Sequence, residues 1–556
     1  MILGIDVGGT HTDSVLVENF VVKKKAKVVT DNDDIMTSLL AAVQKTVSDE
    51  NIKNIRRIVL STTISTNAIV QGKTDRVGMV LQNGPGLSPQ LLDKGKDSRF
   101  VEGYINHRGI SIQPVNNEEI RDVGEYFRGE NIQQIGITGK FSSRNPQHEI
   151  AIAGLLADEH RNFSLGHRLS GQLNFPRRVA TTYLNAAVHN IYRGFVRQVQ
   201  QFLREIRLDV PVYILKADGG TILINESLFY AALTIHSGPA ASIMGVLATA
   251  GVKDDAVALD IGGTTTDISV FADGIPLLEI SGVTIGGRKT LIRGLYTKSI
   301  GIGGDSAVRI KNGNITIGPD REGPAAALDG SAPTPTDAMI VLNRTALGSK
   351  QKATDAINIL AKQLNMDVAS AARVILDKAI AVIADNVRQV IEEINNKPVY
   401  TIHELLEGKV IRPRSVYVVG GPAAAIAPGL ASLLGYPYKI PEHSEVANAV
   451  GAALARTTAE VTMLADTEKG ELTIAEEGIM RKIPHNYSSS QAIEAGREAL
   501  RIRAVKMGAD LNDLEMEVTE AQEFNMIRDF YKTGKNIRTK MQIKPGLISA
   551  CAARNQ

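Results

Sequence analysis

The sequence predicts an α/β protein made of two duplicated lobes around a shared cleft, followed by a small α/β region. Three observations lead there: a repeated octapeptide, short apolar strands alternating with helically spaced segments, and a change of pattern near residue 457. The octapeptide is Asp6-Val7-Gly8-Gly9-Thr10-His11-Thr12-Asp13, which recurs as Asp260-Ile261-Gly262-Gly263-Thr264-Thr265-Thr266-Asp267 and differs only at its second and sixth positions. Each copy follows an apolar run and leads into another, Ser14 to Val17 and Ile268 to Phe271. Strand, glycine turn and strand predict a β-hairpin. Its glycines accept φ > 0 and keep side chains clear, so exposed N–H groups can cradle an anion. A single copy reads equally well as an ordinary hairpin. Two facing copies form a clamp for a polyphosphate and a cation, with N–H groups on the oxygens and Asp6 and Asp260 near the metal.

The remaining elements follow in order. Apolar residues from Asp31 to Ser48 recur at helical spacing, with acidic residues at the start where the helix dipole favours them. Ile58-Val59-Leu60 is a buried-type strand running into Ser61 to Ile69, where Thr63 and Asn67 serve either as helix caps or as ligand contacts. Strands are expected at Arg76–Leu81 and Ile132–Ile137, and Asn145-Pro146 signals a turn into a helix in which His148 is structural. A long helix spans Thr181 to Ile206, and Val212 to Leu215 is a strand ending in an Asp218-Gly219-Gly220 turn. His236-Ser237-Gly238-Pro239-Ala240-Ala241-Ser242 opens a small-residue helix whose free N–H groups suit either an anion or close packing. Gly303-Gly304-Asp305-Ser306 is a further turn, and residues 318 to 335 predict a surface loop. Ala353 to Asn396 is helical, and Ser415 to Val419 is a strand ending in Gly420-Gly421-Pro422, where backbone can approach a flat ligand. A tightly packed helix runs from Glu445 to Arg456. Beyond about Thr462 come short strands, a helix over Gln491–Met507 and two strands around Tyr531–Lys535. The expected boundaries are 1–180, 181–456 and 457–556.

Composition excludes several classes. With 43% apolar and 22% charged residues the chain is of globular type, and 556 residues exceed one ordinary core. Lys and Arg number 62 against 60 Asp and Glu, so the net charge of +2 gives no sign of a nucleic-acid surface. A single cysteine, Cys551, excludes a disulfide framework or a cysteine-ligated cluster held by this chain alone. Neither a signal peptide nor an apolar run of membrane length is visible, so the cytoplasm is the expected compartment.

In these segments the chain resembles the hydantoinase/oxoprolinase family, ATPase subunit type (hydantoinase A-like), of the actin/sugar kinase/Hsp70 ATPase superfamily. The matching stretches are GIDVGGTHTD (4–13), STTISTNAIV (61–70), FSSRNPQHE (141–149), ADGGTI (217–222), SGPAAS (237–242), ALDIGGTTTD (258–267), VVGGPAAA (418–425) and IPEHSEVANAVGAAL (440–454). The resemblance implies ribonuclease H-like (actin-like ATPase) lobes around a nucleotide cleft. It implies ATP held by Gly8, Gly9, Thr10 and Thr12 from one lobe and by Gly262, Gly263, Thr264 and Thr265 from the other. Gly420, Gly421 and Pro422 would line the adenosine, with Gly303 and Gly304 nearby. Asp6 and Asp260 would be the catalytic carboxylates and would position Mg²⁺ through waters. Thr63, Asn67 and Ser237 are candidate substrate contacts. The implied activity is ATP-dependent hydrolysis of a cyclic amide (a hydantoin, 5-oxoproline or a related lactam) activated by phosphorylation, with a large hydantoinase B-like partner subunit; homo-oligomers are also compatible. The alternatives are an ATP-driven reactivase or activase and a small-molecule kinase. Leu60 before Ser61, Asp305 after Gly304 and the stretch from Ala326 to Thr336 depart from the family pattern. Substrate specificity is expected from the loops at Asn83–Ile110 and Gly286–Tyr296, where Arg288, Lys289 and Arg293 are either anion contacts or solvated surface.

Overall fold

The computed structural model describes residues 1–549 except 32–33, 49–51, 93–95, 158–159, 161, 280 and 397–409; Cys551 lies outside the described residues. The repeat seen in the octapeptides extends to whole sheets. In the first, the strand order is Val21–Val29, His11–Glu18, Ile2–Val7, Arg57–Thr62, Val212–Leu215, Thr221–Leu223. The first three strands are antiparallel, and the next two run parallel to Ile2–Val7. In the second sheet, Thr266–Ala272 pairs antiparallel with Ala256–Ile261, followed by Ser415–Val419 and Tyr438–Lys439, both parallel. Ile275–Pro276 and Thr297–Ile300 share the outer side of Thr266–Ala272. Both lobes therefore repeat three antiparallel strands followed by parallel ones in the order 3-2-1-4-5, the ribonuclease H-like arrangement. Ile2–Val7 and Ala256–Ile261 are central and almost wholly buried, as their runs, apolar but for Asp6 and Asp260, require. Val21–Val29 (VVKKKAKVV) is the exposed edge, and its lysines discourage further strand pairing.

Two helices fill the space between the sheets: Ser237–Ala250 and Ala447–Leu454. They cross at small residues because the backbones touch. A Cβ on Gly245 would lie 2.3 Å from the Ala447 carbonyl oxygen, and one on Gly4 would lie 2.3 Å from that of Ala449. The long helix is Phe175–Glu205, starting six residues before the expected Thr181 and running across residue 180. Asn174 caps it, and Pro176 sits in its first turn, where the missing N–H costs nothing. A further parallel sheet, Asn162–Leu165, Gln134–Gly139, Val77–Gln82 and Ser98–Phe100, is built onto the first lobe.

Two expectations need correction. The stretch 318–335 is not all surface: Ala325, Ala326 and Ala327 are buried, and the Ala326 and Ala327 N–H groups donate to Asp337 at 3.0 and 2.8 Å. The hairpin glycines Gly8, Gly9, Gly262 and Gly263 do not adopt positive φ. Their turns need room, not a left-handed backbone.

After residue 459 the chain forms a five-stranded antiparallel sheet in the order Ile479–Lys482, Glu471–Ile474, Glu460–Asp466, Tyr531–Ile543, Met516–Arg528. Helix Ser489–Lys506 packs on it, started by a Ser488/Gln491 capping box. Met463, Leu500 and Ile537 share one hydrophobic core with Ile5, Ile58 and Tyr192 of the first lobe. Among the described residues no single helix is long and apolar enough to cross a membrane.

Candidate functional site

The two hairpins close identically. Gly8 N–H donates to the His11 carbonyl at 3.0 Å, and Gly262 N–H to that of Thr265 at 2.9 Å. In both, the first and last aspartates face each other across the strands, Asp6 with Asp13 and Asp260 with Asp267. Thr10, Thr264 and Thr265 are exposed at the turns, and Gly9 is open to solvent. Thr12 is not among them. It is fully buried, its hydroxyl bonded to that of Thr30 at 3.0 Å, and Thr30 in turn donates to the Gly8 carbonyl at 2.9 Å. Neighbouring residues of a strand point to opposite faces, so Thr12 supports the turn from behind while Asp13 shares the face of Asp6.

In the second lobe three turns converge. Gly304 N–H donates to the Gly262 carbonyl at 2.9 Å, and Asp305 N–H to that of Gly263 at 2.6 Å. Gly304 abuts Pro422, and Gly420, at φ 96°, lies so close to Ile261 that a Cβ would be 2.2 Å from its carbonyl oxygen. Gly303 and Gly304 are buried, whereas Gly421 faces open space. The GG turn at 420–421 is thus placed beside the second hairpin with one glycine free to meet a ligand.

The carboxylates of the two lobes are joined by two residues to which the sequence alone assigns no role. Asn448, on helix Ala447–Leu454, donates from Nδ2 to Asp6 Oδ2 at 3.3 Å. Ser242, on helix Ser237–Ala250, donates to Asp260 Oδ2 and lies 2.9 Å from Asn448 Oδ1. Lys27 grips Asp13 through both oxygens, at 2.8 and 2.7 Å. Asn448 had one sequence signal: it is the lone polar side chain in ANAVGAAL.

Electrostatically the floor of the cleft is short of cations. Burial, and then the charge of Asp13, push Asp6 up to about 7 against the pull of Ser61, Asn448 and Lys27. Burial raises Asp13 and Asp260 as well, and carries Asp267 to about 6 despite the Ser299 hydroxyl bonded to it. Asp6 Oδ1 and the Ser61 hydroxyl are both buried without a partner at hydrogen-bond distance among the described residues, although Ser61 is near enough to pull on Asp6. A buried carboxylate oxygen left orphaned is costly, and a hydrated Mg²⁺ between Asp6 and Asp260 fits this donor set of hard oxygens.

Among the substrate candidates, Thr63 and Asn67 stand at the first turn: Asn67 Nδ2 donates to Thr63 Oγ1 at 3.3 Å and lies beside Gly9. Ser237 is fully buried, and its hydroxyl is committed to the Thr62 carbonyl at 2.8 Å. Arg293 is not a free anion contact. It donates to Asp218 Oδ2 at 3.1 and 2.7 Å and to Gln542. Arg288 stacks over the Tyr183 ring at 5.1 Å.

Duplicated lobes with glycine hairpins facing across a carboxylate-floored cleft define an actin-like ATPase fold. The hydantoinase/oxoprolinase family model matches residues 178–461, and the model of that family's N-terminal region matches residues 2–160. The chain belongs to the hydantoinase/oxoprolinase family. It is 24% identical over 436 residues to the caprolactamase subunit alpha of Pseudomonas jessenii, covering 66% of this chain and 60% of that protein. It is 28% identical over 256 residues to the 5-oxoprolinase of Saccharomyces cerevisiae, covering 44% of this chain and 19% of that protein. The chain thus spans less than two thirds of the curated relatives it matches. Among solved structures it is similar to the ATP-dependent caprolactamase of Pseudomonas jessenii, with a TM-score of 0.71 at 19% identity, covering 98% of this chain and 88% of that one. A nucleotide-free acetone carboxylase gives a TM-score of 0.72 at 16% identity, covering 99% and 88%. At these identities the likeness concerns the fold.

Proposed function

We propose that this chain is the ATP-hydrolysing subunit of an enzyme that opens a cyclic amide, such as a hydantoin, 5-oxoproline or a related lactam, by phosphorylating its oxygen. The observation that carries the reading is that Asn448 donates to Asp6 and Ser242 to Asp260, with Ser242 Oγ 2.9 Å from Asn448 Oδ1, which holds one carboxylate from each lobe at a single floor and leaves Asp6 Oδ1 unsatisfied. An amide is a poor electrophile, and a phosphate on its oxygen makes the carbon attackable by water. The protein's part in such a transfer is positioning and charge neutralisation. With the Gly8 and Gly262 N–H groups closing the hairpins, the turns at Gly9–Thr10 and Gly263–Thr265 would offer N–H groups and hydroxyls to the phosphates, and Gly421 and Pro422 a surface for the adenosine. Asp6 and Asp260 would hold Mg²⁺ through its waters; the ion would supply charge neutralisation at the transferring phosphoryl group. Asn448 and Ser242 keep both carboxylates oriented.

Multi-subunit relatives, a caprolactamase subunit alpha and an acetophenone carboxylase gamma subunit, support a large hydantoinase B-like partner for this chain. The reaction consumes ATP, which suits the cytoplasm. The test is ATP turnover with the chain alone and with a copurifying large subunit. Asp260→Asn is expected to lower kcat by about a hundred-fold or more with the thermal transition retained. Turnover unchanged in Asp260→Asn overturns the assignment. A stable phosphorylated product in place of released phosphate identifies a kinase, and nucleotide-dependent binding to another enzyme without turnover identifies a reactivase.

A further inference from the structure

A cavity of about 480 Å³ opens beside the cleft, between the start of helix Ser237–Ala250 and the segment 281–297. Its lining includes Arg177, His236, Pro239, Glu279, Lys289 and Thr297. The size suits a small organic molecule. Both walls lead to the carboxylates. Pro239 precedes Ser242, the partner of Asp260, by less than one helical turn, a rise of about 4.5 Å. Thr297 precedes Ser299, the partner of Asp267, by two strand residues, about 7 Å. Alternate residues of a strand share a face, so Thr297 and Ser299 lie on the same side. Ser299, Asp267 and Asp260 are successive cross-strand neighbours. The cavity therefore adjoins the sheet face that carries the paired aspartates.

Two polar groups in this cavity lack partners among the described residues. The Thr297 side chain lines the cavity, and its hydroxyl, which has no hydrogen bond, is shielded in this rotamer and would meet a ligand after rotation about χ1. His236 has a left-handed backbone, φ 66° and ψ 21°, and its N–H is held by the Thr66 hydroxyl at 3.0 Å, yet its ring makes no hydrogen bond among the described residues. Burial holds the imidazole below its usual range. A neutral imidazole presents one donor and one acceptor, and a hydroxyl presents both. Strained non-glycine backbone of this kind persists where surrounding structure enforces it, often at ligand sites. The amide of a small ring is complementary to such a pair, because its C=O and N–H lie side by side on one edge.

We propose that this cavity seats the phosphoryl acceptor and that His236 and Thr297 hold the amide edge of a small lactam there. The inference rests on the nucleotide reading above, and one set of measurements separates the two. Nucleotide affinity and phosphate release are followed with the full chain, with its large subunit where one copurifies, using 5-oxo-L-proline and 2-pyrrolidinone as probes. At least one probe is expected to stimulate release. His236→Ala and Thr297→Val are each expected to raise its KM by about ten-fold or more while nucleotide Kd moves less than about two-fold. His236→Asn, which tolerates the left-handed backbone and keeps a donor and an acceptor, is expected to recover part of the loss. His236→Gly relieves the backbone without restoring the ring. If Gly matches wild type in KM, or if Thr297→Val leaves KM unchanged, the cavity is not the acceptor site. Lack of stimulation by either lactam in a chain that binds ATP overturns the cyclic-amide reading and the cavity assignment together, whereas stimulation with unchanged KM in both His236→Ala and Thr297→Val overturns the cavity assignment alone. Failure to bind ATP overturns the nucleotide reading instead.

Discussion

Asn448 stands where the two halves of the site meet, and it is neutral. Its amide nitrogen donates to Asp6 and pulls on Asp260 as well, so it ties two carboxylates together without competing for a cation's place between them. Asn448→Ala removes that link. Hydrogen bonds to charged groups are worth about 1.5–3 kcal/mol, so kcat for ATP hydrolysis is expected to fall by roughly 10- to 100-fold, measured by phosphate release. A kcat within two-fold of wild type contradicts the role. Asp6 and Asp260 were legible in the sequence because each certifies the other by repetition. Asn448 and Ser242 have no repeated counterpart and sit in helices rich in alanine and glycine, where composition speaks of packing. Thr12 shows the opposite failure. The family resemblance implies a ligand contact there, but strand alternation turns it inward to Thr30.

At the scale of elements, the crossing of helices Ser237–Ala250 and Ala447–Leu454 sets how far apart the lobes stand. Gly451 presses on the Ala241 carbonyl oxygen as Gly245 presses on that of Ala447, and a Cβ added to either glycine would stand only 2.3 Å from the oxygen it faces. Backbone cannot swing aside as a side chain does. Gly245→Ala is therefore expected to destabilise by about 1–3 kcal/mol, read as a lowered Tm in calorimetry, and to disturb the Ser242–Asn448 contact in the same stroke. An unchanged Tm overturns this account. The small-residue run at 445–456 announced such packing in the sequence, whereas SGPAAS suits packing and anion binding equally, and the structure commits only the Ser237 hydroxyl, to Thr62. The strand order was partly legible. Hairpins and buried strands follow from local pattern, but the pairing of Val212–Leu215 with Arg57–Thr62 joins segments some 150 positions apart in the chain, and no local period encodes it.

For the whole molecule, the decisive contact is the one that fastens the C-terminal region to the lobes. Asp218 accepts from Thr458 at 2.8 Å and from Arg293, and Lys216 donates to the Thr458 carbonyl at 2.9 Å. Nearby, Glu460 pairs with Lys540 at 3.1 Å and with Arg293 at 3.7 Å. Burial alone would raise both carboxylates. For Asp218 the charges of Lys216 and Arg293 more than offset it, and for Glu460 those of Lys540 and Arg293 do, so both lie below the ordinary range. A carboxylate whose folded pKa is depressed contributes its full stabilisation above its unfolded value, near 4, and loses it as pH falls. Stability is therefore expected to decline with acidification below about pH 4, beginning where the C-terminal region meets the lobes. Arg293→Met leaves two buried carboxylates short of a cation. Breaking a buried ion pair on one side costs about 3–5 kcal/mol, so a large drop in Tm at neutral pH is expected. The acid sensitivity should shrink at the same time, because the depressed pKa values that cause it relax toward normal. Urea unfolding of wild type and Arg293→Met between pH 3 and 7 reads both effects. Parallel pH profiles would show that this cluster does not govern the acid response, and an unchanged neutral stability would show that Arg293 does not fasten the joint.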